Sequence, residues 1–160
     1  FNGYDVGVLT LVYDLQRMPS LVGTWRLVSF VILDGNGGAR QYWDERASGF
    51  IIYTSDGHVS AQVYDARRPR LGTVWEQASG SAAQAAFVGM VSYFGRYRVD
   101  AARGTVTHSI EGAMAPDWIG TELVRGYRFL APNRVELRLL TAAEGPSVGN
   151  TVLVWERVSG

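Results

Sequence analysis

Short stretches in which apolar and polar residues alternate recur along the chain, and clusters of turn-forming residues separate them. Such alternation puts successive side chains on opposite faces, so each stretch predicts a β-strand with one buried face. The predicted strands span residues 25–33, 50–54, 58–64, 92–100, 105–111, 122–130, 134–141 and 151–158. Because sequential strands with short connections favour a closed sheet, we predict an all-β fold, a single antiparallel up-and-down β-barrel of about eight strands.

The pair Asp56-Gly57 is the strongest hairpin signal in the sequence, since both turn positions need positive φ. It joins the strands predicted at 50–54 and 58–64. We take the more apolar of the two alternating sets as the inner face of this hairpin. The predicted inner set is Phe50, Ile52, Thr54, Val59, Ala61 and Val63. The predicted outer set is Tyr53, Ser55, His58, Ser60 and Gln62.

One segment departs from the strand pattern. Ser81 and Gln84 have the spacing of a helix capping box, and the apolar residues that follow predict a short helix over 81–90. The polar loop at 67–70 precedes it, so helix and loop are expected near one mouth of the barrel. Two interpretations remain: a covering element that moves, or a fixed plug.

Polar side chains share the apolar face of three neighbouring predicted strands. Alternation places Tyr93 and Tyr97 inward on one strand, His108 on the next, and Arg125 on the third. Leu123 and Tyr127 share the face of Arg125. An apolar cavity with a few converging polar groups is the usual form of a small-molecule site. The alternative is structural: a buried Tyr or His that satisfies a hydrogen bond, and an Arg that neutralises a carboxylate such as Glu111.

Charge and composition restrict the classes of molecule that we expect the protein to bind. Lys plus Arg and Asp plus Glu are equal at 15 each, so no summed field attracts nucleic acid or an anionic membrane. The apolar runs are strand-sized, well below the roughly 20 residues of a membrane span. No cysteine is present, which removes thiol chemistry and leaves the redox compartment undetermined. We expect a small apolar molecule as the partner, no nucleic acid and no membrane; a homodimer stays open.

The 160 residues fit one domain, which we divide into an N-terminal extension at 1–19 and a barrel domain at 20–160. A cytoplasmic location is expected. Export stays open because the chain begins at Phe1 and not at a methionine.

Several segments resemble the lipocalin family. Gly23-Thr24-Trp25 is similar to its Gly-x-Trp signature, and Arg157 is similar to its closing arginine, which implies an Arg packed over Trp25 at one end of the barrel. Segments 53–61, 93–100, 106–111 and 116–120 resemble the lipocalin-like domain proteins of bacteria and fungi. The resemblance implies a lipocalin-like barrel over residues 20–158. Related barrels include binders, haem carriers, and cyclases or isomerases of natural-product pathways.

Two functions follow as hypotheses. The first is a cofactor-independent cyclase, isomerase or dehydratase acting on an apolar polyketide- or terpenoid-like substrate inside the barrel. Its candidate catalytic groups are His108, Tyr93, Tyr97 and Arg125. The candidate ligand-binding residues are Phe50, Ile52, Thr54, Val59, Leu123 and Tyr127.

The second hypothesis is a non-catalytic carrier or sensor of a small hydrophobic ligand. Haem ligation by His108 is a weaker third, and a structural zinc site is weaker still, since two histidines without cysteine do not supply the usual four ligands. No phosphate-binding glycine motif follows a strand. We therefore expect no cofactor and no metal.

Overall fold

Nine antiparallel strands build the fold in a computed structural model that describes residues 19–34, 36, 38–43, 46–140 and 150–158. The strands are β1 Gly23–Leu33, β2 Ala39–Gln41, β3 Ala47–Tyr53, β4 His58–Asp65, β5 Met90–Asp100, β6 Thr105–Ala113, β7 Glu122–Ala131, β8 Arg134–Leu139 and β9 Thr151–Arg157. One helix, α1 Gly80–Val88, and two short 3-10 turns, Trp75–Gln77 and Pro116–Trp118, complete the described elements.

Pairing between the first and last strands closes the sheet. β1 pairs with both β3 and β9, and β3 to β9 pair in sequence order, so eight strands form a closed ring. The short β2 pairs with the end of β1 outside that ring. The predicted antiparallel barrel with one short helix is therefore confirmed.

The two ends of the barrel differ in their connections. The β3–β4, β5–β6 and β7–β8 turns lie at the end where β1 begins and β9 finishes, which we call the closed end. The opposite end, which we call the mouth, carries the β4–β5 connection with α1 and the β6–β7 connection with the second 3-10 turn. The helix thus lies at the mouth, as the sequence predicts.

The set of strands and the start of the helix both differ from the predictions. The short strand β2 is missing from the predicted set. The helix begins one residue earlier than predicted, and its N-cap is Ser79, which accepts from the backbone N–H of Ala82, not Ser81. Most of the predicted extension at 1–19 lies outside the described residues, so the division into extension and barrel stays a prediction.

The inner face predicted for β3 is wrong. Ile51 and Tyr53 are each 1% exposed, whereas Phe50 and Ile52 are 37% and 39% exposed. Thr54, at the turn, is also exposed. On β4 the predicted inner residues Val59, Ala61 and Val63 are buried as expected.

The length of the hairpin loop explains this correction. Tyr53 pairs with Val59 and Thr54 hydrogen-bonds to His58, so the loop contains three residues, 55–57. Gly57, with φ of 91°, takes the left-handed position that ends such a loop. A two-residue turn would instead pair Thr54 with Val59, and one residue of register reverses every side chain of a strand.

Trp25 and Arg157 pack together at the closed end. Trp25 is fully buried, its indole N–H donates to the carbonyl of Leu21 at 2.7 Å, and the Arg157 guanidinium lies 4.1 Å from its ring centroid. Arg157 also donates to the carbonyl of Val22. Gly23 has φ of 131°, and a Cβ there would lie 2.5 Å from Arg157 Nη1. Glycine suits this position for two reasons: L side chains rarely adopt its φ, and a Cβ would displace the Arg157 guanidinium that packs over Trp25.

Replacing Trp25 by Ala should lower the free energy of unfolding by about 3–5 kcal/mol, because it empties a buried aromatic site. Urea denaturation followed by circular dichroism measures this loss. Trp75→Ala is the matched control: Trp75 is 75% exposed and its removal should change stability by about 0.5 kcal/mol or less. Equal stability of the Trp25 variant and the parent would contradict the structural role of this contact.

Candidate functional site

The polar residues predicted on β5, β6 and β7 do face the interior. Tyr93, His108 and Leu123 are buried, and His108 has no exposed surface. Tyr97 and Tyr127 are half-buried and pack against the same core. The inner face predicted for these three strands therefore agrees with the burial in the structure.

A chain of two hydrogen bonds runs through His108. The Tyr53 hydroxyl lies 2.8 Å from His108 Nε2, and the Tyr93 hydroxyl lies 2.8 Å from His108 Nδ1. The three residues belong to β3, β6 and β5, so the chain ties one side of the barrel to the other across the core. Both imidazole nitrogens are occupied.

Burial sets the protonation state of this chain. It holds the pKa of His108 well below its ordinary value of 6.5, and the positive charge of Arg125 acts in the same direction. Burial also raises the pKa of Tyr53 and the pKa of Tyr93, which the charge of Arg125 opposes in part. At neutral pH the imidazole is therefore neutral and both hydroxyls carry their protons.

The Tyr53–His108–Tyr93 chain has more polar hydrogens than it has hydrogen bonds. A neutral imidazole has one N–H, and two tyrosines add two O–H groups, so three hydrogens serve two hydrogen bonds. In either tautomer one tyrosine donates to His108, while the other accepts from it and keeps a spare O–H. Among the described residues neither Tyr53 nor Tyr93 has a second acceptor. The interior thus contains one buried hydroxyl donor that the described protein leaves unused.

Arg125 adds a cation beside this chain. His108 pairs directly with Leu123 and Val106 with Arg125, which makes Arg125 the diagonal neighbour of His108 on the inner face. Such neighbours have Cα atoms about 7–8 Å apart, within reach of a long side chain. The Arg125 Nη1 atom is buried and has no hydrogen-bond partner among the described residues.

Other predicted site residues lie apart from His108 or serve the packing. The Tyr97 hydroxyl donates to the carbonyl of Thr54 at 2.9 Å, and its ring contacts the edge of Tyr53. Tyr127 packs against Phe129 with ring centroids 5.8 Å apart. Thr54 lies in the exposed turn, where its hydroxyl contacts Asp56. Phe50 and Ile52 lie on the outer surface, so the inward placement predicted for them and for Thr54 is wrong.

Tyr53 is the residue that the sequence analysis missed. It was assigned to the outer face together with His58, yet it is fully buried against His108. The signal that identifies it is the hairpin loop length, since Val59 is inward and a three-residue loop pairs Val59 with Tyr53. Choosing the more apolar set selects Phe50-Ile52, which is the wrong face.

The described residues include no group of three or more His, Cys, Asp or Glu side chains placed to hold a metal ion. His108 would have to lose a tyrosine hydrogen bond to ligate haem iron, because both of its nitrogens are occupied. No helix in the described part of the chain is long and apolar enough to cross a membrane.

The fold and its polar interior define the class of closed antiparallel barrels with an apolar core and a few buried polar groups. Within that class, the family model for the lipocalin-like domain matches residues 22–158. The chain belongs to this lipocalin-like family, whose barrel suggests small-molecule binding. No curated protein matches the chain.

Solved structures similar to the chain include two designed barrels. A redesigned β-barrel has 13% sequence identity and a TM-score of 0.42, and the match covers 87% of this chain and 92% of that one. A de novo designed fluorescence-activating β-barrel has 15% identity and a TM-score of 0.41, with coverage of 89% and 95%.

The free energy of unfolding should depend on pH because His108 is buried. Unfolding frees the imidazole to take up a proton below its ordinary pKa, whereas the folded state excludes that proton. Stability is therefore full above about pH 6.5 and falls with decreasing pH, by up to about 1.4 kcal/mol per pH unit. Urea titrations at pH 6.5 and pH 5 should differ by up to about 1.6 kcal/mol.

Two variants test whether His108 causes this pH dependence. His108→Gln should flatten it, because the titrating group is gone. His58→Gln is the matched control: it removes a histidine whose side chain is 45% exposed, and the fall in stability at low pH should persist because the buried His108 is still present. If the slope survives in His108→Gln, another group causes it and His108 is not held neutral by burial.

Proposed function

We propose that the protein binds a small, mainly apolar molecule inside the barrel, and that the ligand places a hydrogen-bond acceptor against the Tyr53–His108–Tyr93 chain. The spare hydroxyl of that chain is the observation that carries the proposal. A buried donor without an acceptor costs about 1–3 kcal/mol, so an acceptor from a ligand would recover free energy at this point.

The interior between this chain and the mouth supports access for a ligand. Apolar side chains there are only partly buried, although they pack against the core; they include Tyr42, Trp43, Ala47, Val91, Ala113 and Leu139. Partial exposure on an inner face favours a passage from solvent. Leu139 pairs with Arg125, so a ligand that entered past these side chains would meet the polar groups.

A neutral fluorescent probe tests binding in the interior. N-phenyl-1-naphthylamine should bind with increased fluorescence and should lose affinity by about tenfold or more in Leu139→Trp, because the larger ring fills the inner face beside Arg125. Leu140→Trp is the matched control. Leu140 is the adjacent residue, is 53% exposed, and should accept the same substitution without effect on the probe.

Absence of probe binding to the folded parent protein would contradict a ligand site in the barrel. Equal loss of affinity in both Trp variants would place the probe on the outer surface, which also contradicts the proposal.

A second candidate function is acid–base catalysis without a cofactor, as a cyclase, isomerase or dehydratase of a polyketide- or terpenoid-like substrate. The hydrogen-bonded chain favours it: the spare tyrosine hydroxyl would donate its proton to a substrate oxygen, and His108 would pass its N–H proton to that tyrosine while it takes one from the other tyrosine. The proton that the substrate loses in the isomerisation or elimination would restore the second hydroxyl. In this scheme a tyrosine contacts the substrate, and His108 acts through it as a positioning residue. Arg125 would stabilise negative charge that develops on the substrate oxygen.

Small molecules that co-purify with the protein distinguish carrier from enzyme. If the barrel is catalytic, His108→Gln should slow conversion by about 100-fold while affinity stays within about tenfold. Mass spectrometry of molecules released on denaturation should then show product from the parent protein and substrate from the variant. His58→Gln serves as the control and should match the parent. Identical molecules from the parent and His108→Gln would contradict catalysis and leave the carrier.

A further inference from the structure

The barrel interior holds a positive charge that no described carboxylate balances. Arg125 lies on the inner face of β7 and is half-buried; its guanidinium lies beside the Tyr93 hydroxyl, and its Nη1 atom is buried without a partner in the described part of the chain. Its neighbour His108 is neutral and gives no negative charge. A charge that faces an apolar interior without a carboxylate partner is unfavourable, and proteins normally pair it.

The described carboxylates are engaged elsewhere. Six of them lie near a cationic or titratable partner: Asp56 with His58, Asp65 with Arg67, Glu111 with Arg96, Asp100 with Arg103, Glu122 with Arg98, and Glu136 with Arg128. The other four described carboxylates, Asp34, Glu76, Asp117 and Glu156, are exposed. The alternative that Arg125 neutralises Glu111 is therefore not met, because Glu111 lies 3.7 Å from Arg96.

The unused polar atoms in the core are all donors. Besides Arg125 Nη1 and the spare tyrosine hydroxyl, the indole Nε1–H of the buried Trp155 has no partner among the described residues. An arginine fork favours a planar group with two acceptor oxygens. A ligand that complements this set carries oxygen acceptors and a negative charge.

We infer that the ligand is an apolar molecule with one carboxylate, which the guanidinium of Arg125 binds inside the barrel. This inference rests on the proposed ligand site and names the chemistry that the site selects. The same carboxylate would lie beside the Tyr53–His108–Tyr93 chain and accept from its spare hydroxyl.

Competition between two ligands of equal chain length tests this selectivity. Dodecanoate and 1-dodecanol differ in the charged head group and share the same apolar chain. We expect dodecanoate to displace N-phenyl-1-naphthylamine from the parent protein at a concentration at least about tenfold lower than 1-dodecanol, since a charge-assisted pair contributes more than a neutral one.

Two variants assign the preference to the inner cation. Arg125→Met keeps an unbranched apolar side chain of similar length, removes the charge, and should equalise the two ligands. Arg138→Met, which removes an exposed arginine from the outer face of β8, should keep the preference of the parent. Arg125→Met should also raise the melting temperature of the ligand-free protein, because it removes an unbalanced buried charge.

The outcomes separate the inference from the proposal beneath it. Without probe binding to the parent, both fail. If the probe binds but the two ligands displace it equally, the interior site stands and its selectivity for a carboxylate is overturned. Should Arg125→Met not fold, the comparison in the parent protein and in Arg138→Met still decides between these results. A lower melting temperature of a folded Arg125→Met would contradict an unbalanced charge.

Discussion

Closure of the sheet by β1 and β9 is the constraint on which the rest of the structure depends. Residues from Trp25 to Ile32 pair with residues from Arg157 to Thr151, so the two ends of the barrel sequence form one continuous seam. The seam brings Arg157 onto Trp25, which fixes the closed end. It also encloses the inner faces of the remaining strands, so that every inward polar atom must find a partner within the barrel or in a molecule that enters it.

That enclosure gives His108 its properties. On an open sheet the imidazole would be hydrated and would titrate near its ordinary pKa. Inside the ring it is neutral, and tyrosines from β3 and β5 hold both of its nitrogens. The resulting chain of hydrogen bonds has two features. It ties strands together across the core, and it offers one hydroxyl that can donate to something else.

The sequence predicts the barrel well because its information is local. Alternation and turn residues define most strands. The Gly-x-Trp motif, together with Arg157, identifies the closed end. The site is predicted in part. Tyr93, His108 and Arg125 follow from alternation on single strands, whereas Tyr53 depends on whether the hairpin loop has two or three residues. Phe50-Ile52 and Ile51-Tyr53 both consist of large, mainly apolar side chains, and choosing the more apolar set selects the wrong face. Only the register identifies the inner set, and the register is a property of two strands.

The polarity of the unused atoms links the fold to the chemistry of the proposed ligand. Water could accept from the spare hydroxyl or from Arg125, but each water brings two hydrogens that need acceptors of their own. Added waters would therefore increase the excess of donors in a core whose described unpartnered atoms are already donors. A carboxylate oxygen accepts without adding a donor, and its charge balances the guanidinium. A hydrocarbon ligand is disfavoured because it would leave the donors unpaired. A cationic ligand is disfavoured because it would add to the charge of Arg125.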